Sequence, residues 1–333
     1  MKNKFMQQAI DKAWKYQLLT YPNPAVGATV VKDGKVLSVE AHKQAGMPHA
    51  EVLALKEAYL SFYPNSLLQS IEDSVQIHDF LIKNHNSFFQ ECEIYVTLEP
   101  CNHIGKTPAC ALLLETVRIK KVYIGTLDPN PQASGGLQRL RDAGIEVCTQ
   151  ICQDQTDKLL YPFLKWQTDK FVFFKLAMRK DGSIDGGYIT TKDSLTHVHN
   201  IRNNLDLLVI GGETVRVDRP TLNCRYASQN NPPDILIYSN QNSFDTTIPL
   251  FSIKNREVSI SNSLEILESK NFVMIEGGYN LLNSLKSSID YLVIYMSNNT
   301  NSKDIIDINQ FGFEEVYRFD INEIDTIIFL KKS

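Results

Sequence analysis

The chain has 333 residues, of which 43% are hydrophobic and 22% charged, a composition typical of a folded globular protein and not of a disordered or fibrous one. At ~100–200 residues per domain, this length predicts two domains of similar size. A net charge of −4 without a basic run argues against a nucleic-acid partner, and no stretch reaches the ~18 apolar residues of a membrane span. Six scattered cysteines and no signal-peptide pattern predict a cytoplasmic protein with reduced thiols.

The first 150 residues predict a mixed sheet between helices. Apolar spacing predicts a helix at 5–18, and Asp33-Gly34 then joins two short strands, 28–31 and 35–39, as a hairpin. The remaining elements alternate between helix and strand, at 49–59, 94–98, 109–116, 121–125, 136–143 and 145–149. The fold class of this domain, 1–150, is therefore α/β with three α/β/α layers. A surface insertion with an added helix is expected at 61–91.

The second half predicts another α/β domain. A connecting segment, 151–170, leads to a strand that begins at Phe171 and opens the domain 171–333. Further strands are predicted at 207–210, 235–238, 272–275, 292–296 and 326–330, with helices at 192–204 and 280–288.

A metal-binding pattern stands out in the first domain. One histidine, His49, and two cysteines, Cys101 and Cys110, provide an imidazole and two thiolates. Three such ligands leave the fourth tetrahedral position of Zn²⁺ open for water, which distinguishes catalytic from structural zinc. Glu51 lies two residues from His49, where a carboxylate can move protons without binding metal. The alternative interpretation is a helix histidine with ordinary core cysteines.

This pattern, His-x-Glu with a downstream Pro-Cys, is the signature of zinc nucleoside and nucleobase deaminases. The spacing of the two cysteines differs from the common Cys-x-x-Cys, because eight residues separate Cys101 from Cys110. The intervening loop contains Gly105-Lys106-Thr107-Pro108, which is long enough to reach a substrate phosphate. The sequence therefore predicts a hydrolase that deaminates an aminopyrimidine.

At this point the chain resembles the bifunctional deaminase/reductase of riboflavin biosynthesis, the RibD family. The resemblance rests on Asn23-Pro24-Ala25-Val26-Gly27, on the His-Ala-Glu segment, on residues 97–110 and on Asp128-Pro129-Asn130-Pro131. It implies a cytidine-deaminase-like first domain that removes the 2-amino group of 2,5-diamino-6-ribosylamino-4(3H)-pyrimidinone 5′-phosphate with Zn²⁺. It also implies NADPH-dependent reduction of the ribosyl group of 5-amino-6-(5-phosphoribosylamino)uracil to ribityl.

The same resemblance implies which side chains line the deaminase pocket. They are Asn23, His42, His103, Lys106 and Thr107. The alternative for these residues is a solvated loop. Asn102 stands where the family usually has a serine.

The second domain lacks a Gly-x-Gly-x-x-Gly fingerprint, so a Rossmann dinucleotide site is not predicted. Two glycine pairs, Gly211-Gly212 and Gly277-Gly278, each follow a predicted strand, a position from which backbone N–H groups can bind phosphate. Taken alone, such pairs are more often tight turns. The resemblance extends here through segments similar to the family's KxAxSxDG, TVxxDxPxLxxR and EGGxxL, at 175–182, 214–225 and 276–282. It implies a dihydrofolate-reductase-like fold.

Carried over by position, the resemblance implies two sets of contacts. The NADPH contacts are Thr214, Asp218, Gly277, Gly278, Tyr279, Asn280, Leu281 and Leu282. The contacts to the ribosyl phosphate substrate are Arg202, Leu222, Arg225 and Glu276. Arginine suits a phosphate because its planar fork donates two hydrogen bonds at once, although a solvated helix charge is the alternative for Arg202.

Two departures from the family pattern keep other functions open. Arg179 and Lys180 replace a Ser-Leu pair, and 186–188 replaces a segment with serine and tryptophan, so one alternative is a deaminase with an inactive reductase domain. A nucleoside or tRNA deaminase is another. A third is a nucleotide-binding regulatory protein with a structural metal, but such a site usually has a fourth protein ligand, for which His103 is the nearby candidate. The expected partner is a small molecule, and the family resemblance and the insertion predict a homo-oligomer.

Overall fold

The structure is a computed structural model that describes residues 2–332 except 104, 106, 185, 186, 228 and 301–306. The chain forms two compact units, Met1–Phe163 and Leu164–Ser333. The boundary lies within the helix Gln153–Thr168, so the segment expected to connect the domains is mostly helical. Among the described residues, no helix is long and apolar enough to cross a membrane.

The first unit is built on a five-stranded mixed sheet in the order β2-β1-β3-β4-β5. Its strands are β1 (Gly27–Lys32), β2 (Lys35–Ala41), β3 (Cys92–Leu98), β4 (Lys121–Thr126) and β5 (Glu146–Cys148). Strand β1 is antiparallel to β2 and β3, whereas β3, β4 and β5 run parallel. Asp33 and Gly34 both have positive φ, 50° and 75°, as a type I′ turn requires. The predicted hairpin is confirmed.

Helices cover both faces of this sheet. They are α1 (Lys2–Trp14), α2 (Ala50–Leu60), α3 (Ser74–Asn84), α4 (Cys110–Thr116), α5 (Gly136–Asp142) and α6 (Gln153–Thr168). On one face, Phe5 of α1 contacts Tyr95, and Thr156 of α6 lies against Gly125. On the other face, Ala28, Ile94 and Val122 form a core with apolar residues of α2 and α4. The sheet and the helices on its two faces therefore form the three predicted layers.

The segment 61–91 contains the predicted added helix, α3, and although much of the segment is exposed, some of its side chains join this core. Leu68, Ile77 and Leu81 are fully buried in the same cluster as α2. The Lys56 ammonium of α2 donates to the Ile71 carbonyl at 2.6 Å, and the Tyr59 hydroxyl donates to the Asn84 carbonyl at 3.0 Å. The segment therefore supports the helix that begins next to His49.

The second unit contains an eight-stranded sheet in the order β12-β13-β11-β6-β10-β7-β8-β9. The strands are β6 (Phe171–Arg179), β7 (Leu207–Gly211), β8 (Asp234–Tyr238), β9 (Val258–Ser261), β10 (Phe272–Glu276), β11 (Tyr291–Ser297), β12 (Phe313–Asp320) and β13 (Asp325–Lys332). Strands β11, β6, β10, β7, β8 and β9 run parallel, and β13 pairs antiparallel with β11 and β12. Parallel strands place their carboxyl ends at one edge, where loops gather functional groups.

Three elements of this unit were missed by the periodicity argument. Strands β9 and β12 lie at the two edges of the sheet, where polar side chains hide the strand pattern. Among its helices, α7 (Lys192–Arg202), α8 (Gly212–Asp218) and α9 (Tyr279–Leu285), the second is the one that was missed. It begins at Gly212, directly after a glycine, and such a pair is typical of a turn.

We expect Gly27→Ala to destabilise the first unit. A Cβ atom at residue 27 would lie 1.9 Å from the Ala9 carbonyl oxygen of α1, and no rotamer change can relieve a clash with backbone. The free energy of unfolding, measured by urea titration, should fall by about 1–3 kcal/mol. Gly34→Ala is the matched control, since a Cβ atom there meets no atom within 4 Å. Its only cost is the strain of an alanine at a φ of 75°. Equal midpoints for Gly27→Ala and wild type would contradict the close contact of α1 with β1.

Candidate active sites

The predicted metal ligands converge in the first unit. His49 is the N-cap residue of α2, Cys101 follows the end of β3, and Cys110 is the first residue of α4. The His49 Nδ1 atom lies 3.6 Å from the Cys101 sulfur and 3.3 Å from the Cys110 sulfur. All three ligand atoms lie within 4.8 Å of one another, which suits a single tetrahedral ion. In the described part of the chain this is the one such His/Cys/Asp/Glu group.

Without a metal the three groups share protons unequally: the hydrogen bond to Cys101 and burial raise the pKa of Cys110, so only one of the two thiols is readily ionised. The Cys110 thiol donates to Cys101 and lowers the pKa of Cys101 to about 4, with help from His49. The Cys110 backbone N–H also points at the Cys101 sulfur, at 3.4 Å. Burial lowers the pKa of His49, but the hydrogen bond to Cys101 and the charge of Glu51 outweigh burial and raise it. A bound metal would therefore displace the protons of Cys110 and His49, and Cys101 offers it a thiolate already formed.

Glu51 lies in the first turn of α2 and is almost fully buried, with 4% of its surface exposed. Burial raises its pKa to about 7, and the Cys101 charge acts in the same direction while His49 opposes it. A carboxyl group with this pKa exchanges a proton readily at neutral pH, which is what general acid–base catalysis requires. The structure therefore places a suitable proton carrier beside the ligand cluster.

Two of the predicted pocket residues, Asn23 and His42, form one hydrogen-bonded unit. The His42 Nδ1 atom lies 3.1 Å from the Pro48 carbonyl, and its Nε2 atom lies 3.1 Å from the Asn23 amide nitrogen. Burial and the neighbouring His49 lower the pKa of His42 to about 4, so its ring is neutral. Nδ1 then carries the proton, and Nε2 accepts from Asn23. This arrangement fixes the orientation of the Asn23 amide.

The other three predicted pocket residues, His103, Lys106 and Thr107, lie on the loop between the two cysteines. The Thr107 hydroxyl lies 3.4 Å from His49 Nε2, so it belongs to the site. His103 is exposed, and among the described residues it is not grouped with the three ligands. Lys106 lies outside the described residues.

Glu99 is a buried carboxylate next to the metal loop that the sequence did not single out. Its Oε1 atom accepts from the Gly135 and Leu137 N–H groups at 3.0 and 2.9 Å, and its Oε2 atom accepts from the Asp128 N–H at 3.1 Å. Glu99 thereby joins the end of β3 to the Asp128-Pro129-Asn130-Pro131 segment. The family motif at 128–131 had no assigned role in the sequence, because its distance in the chain conceals this contact.

The second unit has a cavity of about 1090 Å³ at the carboxyl ends of β7, β8 and β10. Six of the predicted NADPH contacts line it, namely Thr214, Asp218, Gly278, Tyr279, Asn280 and Leu281. Gly277 does not line the cavity, and a Cβ there would lie 2.7 Å from the Leu281 side chain. Leu282 is fully buried in the core. The sequence did not identify Ser239, which lines the cavity at the end of β8.

The predicted contacts to the ribosyl phosphate include a buried ion pair. Arg202 is 7% exposed, and its Nη2 atom lies 2.9 and 3.2 Å from the two Glu276 oxygens. Its Nη1 atom donates to the Asn223 carbonyl at 3.0 Å. The interpretation of Arg202 as a solvated helix charge is therefore wrong.

The other two predicted substrate contacts lie on one segment. Leu222 is buried with φ of 51°, and Arg225 is exposed, with its Nη1 atom donating to the Asn223 side chain at 3.2 Å. Both are linked to Arg202 through Asn223.

Two further ionisable groups accompany this ion pair. Lys175 of β6 is half-buried, and its desolvation lowers its pKa, while Glu276 opposes that shift. Burial, together with Arg202 and Arg225, lowers the pKa of His199 to about 4. Neither residue was assigned from the sequence, although Lys175 opens the KxAxSxDG-like segment. The site is rich in cationic side chains balanced by one carboxylate.

Comparison with known proteins identifies both halves. Residues 1–126 match the family model of the cytidine and deoxycytidylate deaminase zinc-binding region, and residues 170–297 match that of the RibD C-terminal domain. The riboflavin biosynthesis protein RibD of Aquifex aeolicus is 30% identical over 88% of this chain and 78% of its own length. This chain belongs to the RibD family. The Haemophilus influenzae RibD is 38% identical over 67% of this chain, but the match spans only 55% of that protein.

A solved RibD-type structure supports the fold. The Thermotoga maritima diaminohydroxyphosphoribosylaminopyrimidine deaminase/5-amino-6-(5-phosphoribosylamino)uracil reductase has 27% sequence identity and a TM-score of 0.65, covering 100% of this chain and 99% of that one. The predicted family and the predicted fold class of two α/β domains are therefore confirmed.

The residues present fit both cofactors of a RibD-type protein. An imidazole and two sulfurs form a ligand set for Zn²⁺. For NADPH, the cavity walls approach closely at Gly212, where a Cβ would lie 2.7 Å from the Ser239 side chain. Larger residues there would displace the cavity wall.

The two departures from the family pattern lie at and after the end of β6. Arg179 is 8% exposed and points a guanidinium nitrogen at the Ser183 hydroxyl, 3.5 Å away. Tyr188 is 79% exposed, and Gly186 lies outside the described residues. Of the described residues at these positions, Arg179, Lys180 and Tyr188 are not among those that line the cavity.

We expect Cys101→Ser to lose the metal. A serine hydroxyl stays protonated at neutral pH and is a poor zinc ligand, so the site would retain only His49 and Cys110. Metal content measured by atomic emission after gel filtration should fall from stoichiometric zinc to background. Cys148→Ser is the matched control, because Cys148 lies outside the ligand cluster and should retain zinc. Full zinc occupancy in Cys101→Ser would contradict the three-ligand assignment.

Proposed function

We propose that this chain carries out two consecutive steps of riboflavin biosynthesis, a zinc-dependent deamination and an NADPH-dependent reduction. It is an enzyme with a deaminase unit and a reductase unit. The observation that carries the proposal is the convergence of His49, Cys101 and Cys110 beside the buried Glu51, in a chain whose second half matches the RibD reductase. The substrates are those named for the Thermotoga protein.

In the deamination, water adds to C2 of the pyrimidine, and the bond from C2 to the amino nitrogen breaks to release ammonia. Bound zinc supplies Lewis acidity that makes water a nucleophile at neutral pH. Glu51 takes the proton from water and returns it to the departing nitrogen, a transfer that its pKa of about 7 favours in both directions. Asn23, oriented by His42, provides a fixed amide that can pair with the pyrimidine edge.

In the reduction, C1′ of the ribosyl group gains a hydride, its bond to the ring oxygen breaks, and that oxygen takes a proton. Bound NADPH supplies the hydride. Lys175 and Glu276 lie together in the buried part of the site, where Lys175 can provide the proton and Glu276 can hold Lys175 charged. Arg225, exposed beside the site, is the proposed contact for the phosphate.

The individual pocket assignments are part of this proposal. For the deaminase they are Asn23, His42, His103, Lys106 and Thr107. For the reductase they are the eight NADPH contacts and the four substrate contacts given from the sequence. Two of the NADPH contacts would act indirectly: Gly277 packs against the Leu281 side chain in the cavity wall, and Leu282 is buried in the core.

The domain limits and cellular setting complete the proposal. We assign residues 1–150 to the deaminase, 151–170 to the connection and 171–333 to the reductase, supported by family matches at 1–126 and 170–297.

The cysteines support a location in the cytoplasm, because all six are free thiols, and cell fractionation would test this location. A homo-oligomer is supported by exposed Phe62, Tyr63 and Leu67 in the 61–91 segment, and sedimentation would measure it.

We expect Glu51→Gln to bind zinc but to stop releasing ammonia. The amide keeps the shape of the side chain but cannot carry the proton, so the rate should fall by at least ~10²–10⁴-fold. Ammonia release from the diaminopyrimidine phosphate is the measurement. The control is Glu57→Gln on the exposed side of the same helix, which should retain the wild-type rate. Undiminished ammonia release by Glu51→Gln would remove Glu51 from the mechanism.

We expect Glu276→Gln to impair only the second step. Loss of the carboxylate leaves Arg202 and Lys175 without their shared anion, and NADPH oxidation with the deaminated substrate should slow about 10- to 100-fold. Ammonia release should stay unchanged. Glu265→Gln, an exposed glutamate of the same unit, is the control. If wild-type protein releases ammonia but never consumes NADPH, the chain is a deaminase with an inactive reductase domain.

A further inference from the structure

Arg256 lies just before β9, outside the sequence segments that the family pattern covers, yet in space it contacts the segment that carries the proposed substrate residues. Its Nη1 atom donates to the Leu222 carbonyl at 2.7 Å, and its Nη2 atom donates to the Thr221 carbonyl at 3.0 Å and the Leu250 carbonyl at 2.5 Å. One planar guanidinium thus binds three backbone carbonyls from two loops. Few side chains other than arginine have the donors to do so.

The charge of Arg256 is held in an unusual setting. Within the described part of the chain, Arg256 forms no ion pair, and its Nε atom is buried without a hydrogen-bond partner. Burial and the nearby Arg202 lower its pKa to about 10. Arg256 is half-buried, and a partly desolvated cation that is bound only by carbonyls and repelled by a second cation is costly, so general stabilisation of the fold is a poor account of it.

The backbone that Arg256 holds is itself strained. Leu222 has φ of 51° and Arg219 has φ of 45°, both in the left-handed region, which disfavours residues with a Cβ by roughly 1–2 kcal/mol per residue. The Leu222 carbonyl is one of the three acceptors of Arg256. Without this contact the segment would relax towards ordinary φ values and move Leu222 and Arg225.

Arg202 continues the same pattern of contacts. It donates to the Asn223 carbonyl while paired with Glu276, so the carbonyls of three consecutive residues, Thr221, Leu222 and Asn223, are each bound by an arginine. Arg202 ties the segment to the reacting centre, and Arg256 ties it from the opposite end, through the loop at Leu250. Both cations also lie close enough to repel each other, which makes the surroundings attractive to an anion.

We propose that Arg256 is a positioning residue of the reductase: it holds the 221–225 backbone in the conformation that binds the ribosyl phosphate substrate. The inference rests on the proposed reductase function. Arg256 touches neither the substrate nor NADPH in this role. It acts through Leu222 and Arg225, so its loss should weaken binding of the ribosyl phosphate while leaving binding of NADPH and the deaminase unit unchanged.

The test measures both halves of the full-length protein. In Arg256→Gln, the KM for 5-amino-6-(5-phosphoribosylamino)uracil should rise about tenfold or more, the effect of losing directed charged hydrogen bonds. The Kd for NADPH, from fluorescence quenching, and the rate of ammonia release should match wild type. Arg256→Lys keeps the charge but not the planar fork, and it should recover only part of the lost affinity. Arg318→Gln, an exposed arginine of the same unit, is the control.

The possible results separate the two proposals. A wild-type protein without NADPH oxidation overturns the reductase function itself. A reductase-active wild type with an unchanged KM in Arg256→Gln overturns the role of Arg256 alone. Parallel weakening of NADPH and substrate binding would mean that Arg256 only stabilises the fold. If Arg256→Gln fails to fold, Arg256→Lys decides the question, since full recovery of KM by lysine contradicts a directed clamp.

Discussion

The first unit depends on one constraint: two sulfurs and one imidazole, 61 residues apart in the chain at their widest, must meet within the reach of a single ion. The sheet solves this because β3 ends beside the start of α2, and α4 begins directly after the metal loop. Backbone groups fix the loop from both sides, through Cys110 N–H on the Cys101 sulfur and through the hydrogen bonds of Glu99. The positions of the three ligand atoms are therefore determined by the ends of the secondary-structure elements that carry them.

The second unit places its chemistry by the same rule. Its cavity opens where β7, β8 and β10 end, and glycines at two of those ends, Gly212 and Gly277, leave room for the side chains of Ser239 and Leu281. The electrostatics differ, however. The deaminase site buries an acid whose pKa rises to about 7, whereas the reductase site buries cations around Glu276, whose pKa is lowered by Arg202 and Lys175 against the effect of burial. Burial tunes a proton carrier in one unit and concentrates positive charge in the other.

The sequence predicted those features that local patterns determine. The Asp33-Gly34 turn specifies its hairpin, and the chemistry of His49, Cys101 and Cys110 limits them to very few roles. It did not predict Glu99, Lys175 or Arg256, because each acts through contacts with backbone or charges that are remote in the chain. The edge strand β12 and the buried part of 61–91 were missed for a related reason, since exposure is a property of the assembled sheet and not of a short window.

The carbonyl contacts of the two arginines explain how a flexible phosphate ester can be bound at the end of a sheet. A loop held only by its own turns would sample many conformations, and ordering it on binding would cost affinity. Here Arg202 and Arg256 impose that order beforehand, at the expense of strain at Leu222 and of mutual repulsion. In the proposed reduction a substrate phosphate would relieve the repulsion, because it would bring negative charge to a region where Glu276 lies beside Arg202 and Lys175. The strain at Leu222 is present before binding, so in this proposal the prepared backbone lowers the ordering cost and the charge supplies the attraction.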